Sequence, residues 1–361
     1  MKNAISPVNE PAEISCSAAN DIVTRRIFSP SDLKKQFNLD SELKFQIQTQ
    51  RNQIKNILNG NDDRLLIVVG PCSIHDEKAA IEYGTFLADF SKTVSDKMLL
   101  VMRAYVEKPR TNIGWKGFAY DPDRDGIGNI EQGVLRSRQL MIKLAKLGLP
   151  LSTEALNPLV ITYLDDLISW TAIGARTSES QIHREMVSNL NMPVGIKNNT
   201  NGSIDTAVNA MISSKHSHHT LGIDDDGHIA MINTPCNPHT HLVLRGGKNA
   251  SGVSLTNFDA LSISESSKSL EQSGMNTKVM IDCSHDNAQK QHHRQIEIAK
   301  NVVTQRCNGN MNVMGLMLES FLKEGNQSMN GELIYGKSIT DPCISWNQTK
   351  GLLAELSQQM N

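Results

Sequence analysis

Leu65-Leu66-Ile67-Val68-Val69-Gly70-Pro71-Cys72-Ser73-Ile74-His75 opens on five apolar residues, stops at a glycine–proline pair, and then presents a thiol and an imidazole. An unbroken Val- and Ile-rich run of this length fits a strand buried on both faces, as in a parallel sheet covered by helices. Seven further runs follow the same rule: Leu99–Tyr105, Leu149–Thr153, Ala172–Arg176, Val194–Lys197, Leu242–Arg245, Val279–Asp282 and Val313–Leu318. Helix-length amphipathic segments separate most of them. This alternation predicts an α/β fold of the (β/α)8 TIM-barrel class, and a chain of 361 residues suits such a barrel carrying insertions.

Outside the barrel pattern lie two additions. Pro, Asn, Ser and Glu dominate residues 1 to about 28. Ser29-Pro30-Ser31-Asp32 then has the chemistry of a helix start, with serine as cap and proline in the first turn. A second helix is predicted from Asp40, with Leu43, Ile47, Ile54 and Leu58 at helical spacing and Gly60 as its stop. Residues 1–60 therefore read as an N-terminal helical extension, packed on the barrel bottom or on another subunit, and residues 61–361 as the catalytic barrel. The interval Ser217–His241 is too long for a simple connection. Leu221-Gly222-Ile223 and Ile229–Ile232, set around Asp224-Asp225-Asp226-Gly227, predict a β-hairpin inserted near 217–241.

Composition narrows the function. A hydrophobic content of 39% supports a real core, while a net charge of -2 and 4% aromatics argue against nucleic-acid or membrane partners. The six cysteines form no C-x-x-C, and Met1–Asn20 has no apolar stretch of signal-peptide length. A reducing cytoplasm is the expected location.

The barrel class makes the ends of the runs the place to look, because the C-terminal ends of the strands share one face. Arg103, Lys108, Arg176, Lys197 and Arg245 lie at or just past such ends. Cations converging on one mouth imply anionic substrate groups, phosphate and carboxylate. At the same ends stand Cys72, His285 and Glu319, with Asp341 in the loop after the last run. One thiolate, one imidazole and two carboxylates suit a single Mn2+, Fe2+, Co2+ or Zn2+ ion better than Mg2+. Cysteine is often simply buried, and most single histidines bind nothing; it is the gathering of four ligand types at strand ends that points to a metal. His216, His218 and His219, and His292-His293 on an apparent helix, read as solvated side chains.

The motifs also match a family. Gly60-Asn61-Asp62-Asp63-Arg64-Leu65-Leu66, Gly70-Pro71-Cys72-Ser73-Ile74-His75-Asp76, Glu107-Lys108-Pro109-Arg110-Thr111, Gly114-Trp115-Lys116-Gly117, Ala172-Ile173-Gly174-Ala175-Arg176-Thr177, Leu244-Arg245-Gly246-Gly247, Glu324-Gly325-Asn326-Gln327 and Tyr335-Gly336-Lys337-Ser338-Ile339-Thr340-Asp341 stand almost unchanged. The chain resembles the class I 3-deoxy-D-arabino-heptulosonate 7-phosphate (DAHP) synthases, in the feedback-regulated branch, from about Asn59 to Leu356. The resemblance implies condensation of phosphoenolpyruvate with erythrose 4-phosphate, with release of phosphate, as the first step of the shikimate pathway. It implies Cys72, His285, Glu319 and Asp341 as metal ligands. Arg103, Lys108, Arg176, Lys197 and Arg245 would hold phosphoenolpyruvate, and Arg110 and Thr111 the aldose phosphate. Homodimers or homotetramers, joined through the N-terminal arm, are implied as well. Cys72, His285 and Lys108 are the expected catalytic groups; Lys108 would move protons because lysine shifts its pKa among neighbouring cations. Glu154, at the third strand end, would organise water.

Two departures from the family pattern stand out. Glu154-Ala155-Leu156-Asn157-Pro158-Leu159 replaces a Glu-Phe-Leu-Asp run and the Pro-Gln that follows it in the effector pocket, and Ile223-Asp224-Asp225 replaces Val-Thr-Lys. Weak or absent inhibition by phenylalanine, tyrosine or tryptophan is the expectation. Lys197-Asn198-Asn199-Thr200-Asn201-Gly202 replaces Lys-Asn-Gly-Thr-Asp-Gly, with Asn199 expected to tolerate left-handed backbone. Other readings are a synthase acting on a different phosphorylated aldose, and a non-catalytic regulatory paralogue.

Overall fold

The computed structural model describes residues 24–110 and 112–360. Eight parallel strands close on themselves: β1 (Leu65–Gly70), β2 (Met98–Arg103), β3 (Leu151–Glu154), β4 (Trp170–Ile173), β5 (Val194–Lys197), β6 (Thr240–Leu244), β7 (Val279–Asp282) and β8 (Val313–Phe321). Neighbours pair in chain order, and β8 returns to β1 with Gly70 opposite Glu319. Helices lie between most strands, so the predicted (β/α)8 barrel is the observed one.

Five runs have other limits than expected; among them β2 ends two residues early, at Arg103, and β8 continues to Phe321. β4 ends at Ile173, because Gly174 begins a turn that carries Ala175 and Arg176 out of the sheet. β6 starts earlier, at Thr240 and His241, polar residues that are nonetheless buried. β3 runs from Leu151 to Glu154, two residues after the expected start.

Alternation along each strand sorts the side chains into two layers. Leu66, Val68, Leu99, Val101, Trp170, Ala172, Val243 and Met280 fill the barrel interior, while Leu65, Ile67, Val69, Leu100 and Met102 face the helical layer. Gly195 makes room for the largest interior residue: a Cβ there would lie 2.3 Å from Trp170 Cζ2. Trp170 Nε1 donates to His241 Nε2 at 3.0 Å. Burial takes His241 down to about 4, so the imidazole is neutral and able to accept.

Helix α1 (Pro30–Gln36) starts with a capping box on Ser29 and Asp32. Helix α2 (Ser41–Asn59) is capped by Asp40 and ended by Gly60 at φ 75°. Ile54, Ile57 and Leu58 of α2 join the interior cluster, so α2 forms the barrel floor. Of the two packings open at the sequence level, this one is seen. Arg51 fastens the helix by donating to Ile168 O (2.9 Å) and Asp165 O (2.6 Å).

An antiparallel hairpin, His219–Ile223 with Ile229–Asn233, lies between β5 and β6. Its Asp224–Gly227 tip meets α1, where Ser31 N donates to Asp225 O at 2.7 Å. His292 and His293 precede the helix Arg294–Cys307 rather than lying on it, which corrects the helical placement. No helix among the described residues is long and apolar enough to cross a membrane.

Candidate active site

The C-terminal strand ends open into a cavity of about 490 Å³. Lys108, Arg110, Glu154, Arg176, Lys197, Arg245, His285, Glu319 and Asp341 all line it. Cys72 and Arg103 lie buried just beneath, bonded to these lining residues. Thr111 lies outside the described residues.

Three of the four expected metal ligands form a tight group: one ligand atom each from Cys72, Glu319 and Asp341 lies within 4.8 Å of the others. Strand pairing explains part of this, since Glu319 sits opposite Gly70, two residues before Cys72. Glu319 is also gripped at its backbone, where Gln295 donates to its O (3.1 Å) and accepts from its N (2.8 Å). Burial, reinforced by the Glu319 carboxylate, pushes the Cys72 thiol up. His285 stands outside the group, although it lines the same cavity. Its backbone is left-handed, at φ 50°, and its Nδ1 lies 2.9 Å from Asp282 Oδ2. That contact leaves Nε2 as the nitrogen available to a metal, the usual arrangement of a carboxylate-oriented histidine ligand.

Three of the cations, Arg103, Lys197 and Arg245, are held by acids. Arg103, 1% exposed, donates through Nη2 to Glu319 Oε1 at 3.1 Å and lies 4.0 Å over the Tyr105 ring. Its Nη1 is buried and has no partner among the described residues. Lys197 Nζ meets Asp282 Oδ2 at 3.0 Å, and Arg245 pairs with Asp286. Arg110 Nε donates to Trp115 O at 2.7 Å; Arg176 is exposed in the turn after β4.

Lys108 corrects one premise. Its Nζ lies 2.6 Å from Cys72 Sγ and 3.3 Å from Asp341 Oδ2, so its close neighbours are a thiol and a carboxylate rather than cations. Burial pulls its pKa down, but Cys72, Asp341 and Glu319 outweigh that and hold it above the ordinary lysine value. Asn199 also differs from expectation. It does not adopt the left-handed backbone; its side chain instead accepts from Thr200 N at 2.6 Å.

Two buried acids behind the mouth, Asp282 and Glu107, are not marked by the sequence pattern. Asp282 is fully buried at the end of β7, and burial alone would raise its pKa. His285, Lys197 and the Ser284 hydrogen bonds outweigh burial and hold the carboxyl well below the usual range. A strand-end rule that had counted acids as well as bases and ligands would have found it.

Glu107, beside Lys108, accepts from Tyr120 Oη at 3.2 Å, and Asn157 Nδ2 donates to that same phenol oxygen at 2.9 Å. Burial pushes the Glu107 carboxyl up to about 7. Its folded value lies above its unfolded one, so its stabilising contribution is full below about 4.5 and lost as pH climbs through 7. Glu107→Gln is therefore expected to stabilise the protein at pH 8, by on the order of 3 kcal/mol. The advantage should vanish at pH 5. Thermal melts at both values check this, and an advantage independent of pH would contradict it.

Fold and mouth together define a (β/α)8 barrel whose rim sets a Cys–Glu–Asp group that could hold a metal ion beside clustered cations. The chain belongs to the DAHP synthetase I family, whose sequence model matches residues 43–354, and so to the DAHP synthase enzymes that open aromatic biosynthesis. It is 46% identical over 338 residues to the Tyr-sensitive phospho-2-dehydro-3-deoxyheptonate aldolase of Escherichia coli (strain K12), covering 93% of each chain. Against the Trp-sensitive enzyme of Enterobacter agglomerans the identity is 42% over 356 residues, covering 98% of this chain and 99% of the relative. A solved structure of phospho-2-dehydro-3-deoxyheptonate aldolase from Francisella tularensis SCHU S4 superposes with a TM-score of 0.90 at 42% identity, covering 94% of this chain and 98% of that one. The expectation of weak feedback gains no support here, since both named relatives are amino-acid-sensitive enzymes.

Proposed function

We propose that this chain condenses phosphoenolpyruvate with D-erythrose 4-phosphate and water, giving DAHP and phosphate, with one divalent ion of the Mn2+, Fe2+, Co2+ or Zn2+ kind. The observation that carries the reading is one cavity in which a Cys–Glu–Asp ligand group adjoins Arg103, Lys108, Lys197 and Arg245. The donor set fits a borderline-soft ion. Cys72, Glu319, Asp341 and, through Nε2, His285 would hold it. Bound there, the ion would supply Lewis-acid polarisation of the aldehyde oxygen.

The chain's own residues account for the rest. Arg103 has its buried Nη1 available for a substrate oxygen, and with Lys197, Arg245 and Arg176 it would fix the phosphate and carboxylate of phosphoenolpyruvate. Arg110 and Thr111 would take the aldose phosphate, bringing the nucleophilic C3 against the aldehyde carbon. A carbon–carbon bond forms there, and water held near Glu154 adds at C2. The C–O bond to phosphate then breaks. Lys108, whose Nζ lies beside Cys72 and Asp341, would move protons to or from the new alkoxide.

Residues 1–60 as a subunit-contact extension, assembly as a homodimer or homotetramer, and residence in the cytoplasm belong to the same proposal; the described cysteines carry no disulfide. Purified protein with Mn2+, phosphoenolpyruvate and erythrose 4-phosphate is expected to release phosphate, and a chelator to abolish this. Faster phosphate release with another aldose phosphate would overturn the choice of acceptor. The same assay with each aromatic amino acid tests the feedback expectation, which submillimolar inhibition by any of them would end.

A further inference from the structure

Asp282 forms and breaks no bond in the proposed reaction, yet its carboxylate stands between His285 and Lys197. One oxygen, Oδ2, lies 3.0 Å from Lys197 Nζ and 2.9 Å from His285 Nδ1. The other, Oδ1, accepts from Ser284 N at 3.0 Å and from Ser284 Oγ at 2.6 Å. Ser284 Oγ is in turn 2.7 Å from His285 Nδ1. The side chain is fully buried, and every one of these partners is a protein group. A single negative charge is therefore shared between His285, which the functional reading makes a metal ligand, and Lys197, which it makes a substrate-binding ammonium.

We propose that Asp282 is a positioning residue that makes metal binding and phosphoenolpyruvate binding favour each other. This rests on the functional reading above. A cation on His285 Nε2 makes the Nδ1–H a stronger donor and draws Oδ2 toward it, which loosens the hold on Lys197 and frees that ammonium for a substrate anion. In the reverse direction, a substrate anion on Lys197 withdraws the ammonium from Oδ2. The carboxylate then polarises His285 more fully and raises its basicity as a ligand. By linkage the two effects are one coupling factor, equal in both directions.

The test measures that factor on the full-length protein. Phosphoenolpyruvate Kd is read by titration calorimetry with and without Mn2+, and Mn2+ Kd from the paramagnetic resonance of free Mn2+ with and without phosphoenolpyruvate. Wild type is expected to bind each ligand at least several-fold more tightly in the presence of the other. In Asp282→Asn, which keeps shape and removes charge, Mn2+ affinity should fall about 10–100-fold, and the coupling factor should fall to near one. Ser284→Ala leaves the charge but removes the hydroxyl from Oδ1, which keeps only the backbone N–H of residue 284, and should reduce the factor partly; it decides the matter if the asparagine variant does not fold. A wild-type factor of one, or an undiminished factor in both variants, overturns the proposal. Failure of the wild type to bind phosphoenolpyruvate at all would instead remove the functional reading beneath it.

Discussion

Replacing Cys72 with serine is expected to abolish measurable turnover and to weaken Mn2+ binding by more than the roughly 10–100-fold that loss of an outer partner costs. Cys72 is fully buried, and its Sγ is the only sulfur in a ligand group otherwise made of carboxylates. A serine hydroxyl has nearly the same shape but stays protonated, and it is a harder donor. The variant should therefore lose most affinity for thiolate-preferring ions such as Zn2+ and least for Mg2+. Lys108 also loses the sulfur 2.6 Å from its Nζ, keeping only Asp341 at 3.3 Å. Direct metal titration of the two proteins checks this; unchanged affinity and ion preference in the serine variant would remove Cys72 from the metal site.

The second large effect is expected at Arg103. Its guanidinium and the Glu319 carboxylate are 1% and 2% exposed and 3.1 Å apart. Arg103→Met preserves bulk but strands an ionised carboxylate in the interior, a change that typically costs about 3–5 kcal/mol. Urea unfolding should show a loss of that order, with phosphoenolpyruvate binding lost as well, because the Nη1 donor disappears. Adding Glu319→Gln to Arg103→Met should restore much of the stability by removing the stranded charge, but not metal binding. A single variant within about 1 kcal/mol of wild type would show that the ion pair is not what holds this strand end together.

Much of this was legible in the sequence because a buried parallel strand is an unbroken apolar run, and a barrel delivers the ends of such runs to one rim. Gly70 through Cys72, Val194 through Lys197 and Val279 through Asp282 show the rule at its clearest, with strand limits as expected. It blurred at β4, where Ala175 looks strand-like but follows the Gly174 turn. It blurred at β6 too, where Thr240 and His241 are polar yet buried. What the sequence withheld was the pairing of charges. Nothing in the spacing of Lys108 says that its neighbours are Cys72 and Asp341, 36 positions before it and 233 after it. Asp282 and Glu107 stayed hidden because their importance comes from burial, which only the closed barrel creates.

The floor built by Ile54, Ile57 and Leu58 carries a last consequence. With a helix stoppering the barrel from below and Trp170 wedged above it, nothing the size of a metabolite can leave by the rear. Two sugar-derived reactants, a water molecule, the seven-carbon product and free phosphate all have to pass through a single doorway. Whatever enters or leaves therefore shares the one rim where Arg110, Arg176 and Lys248 line the cavity.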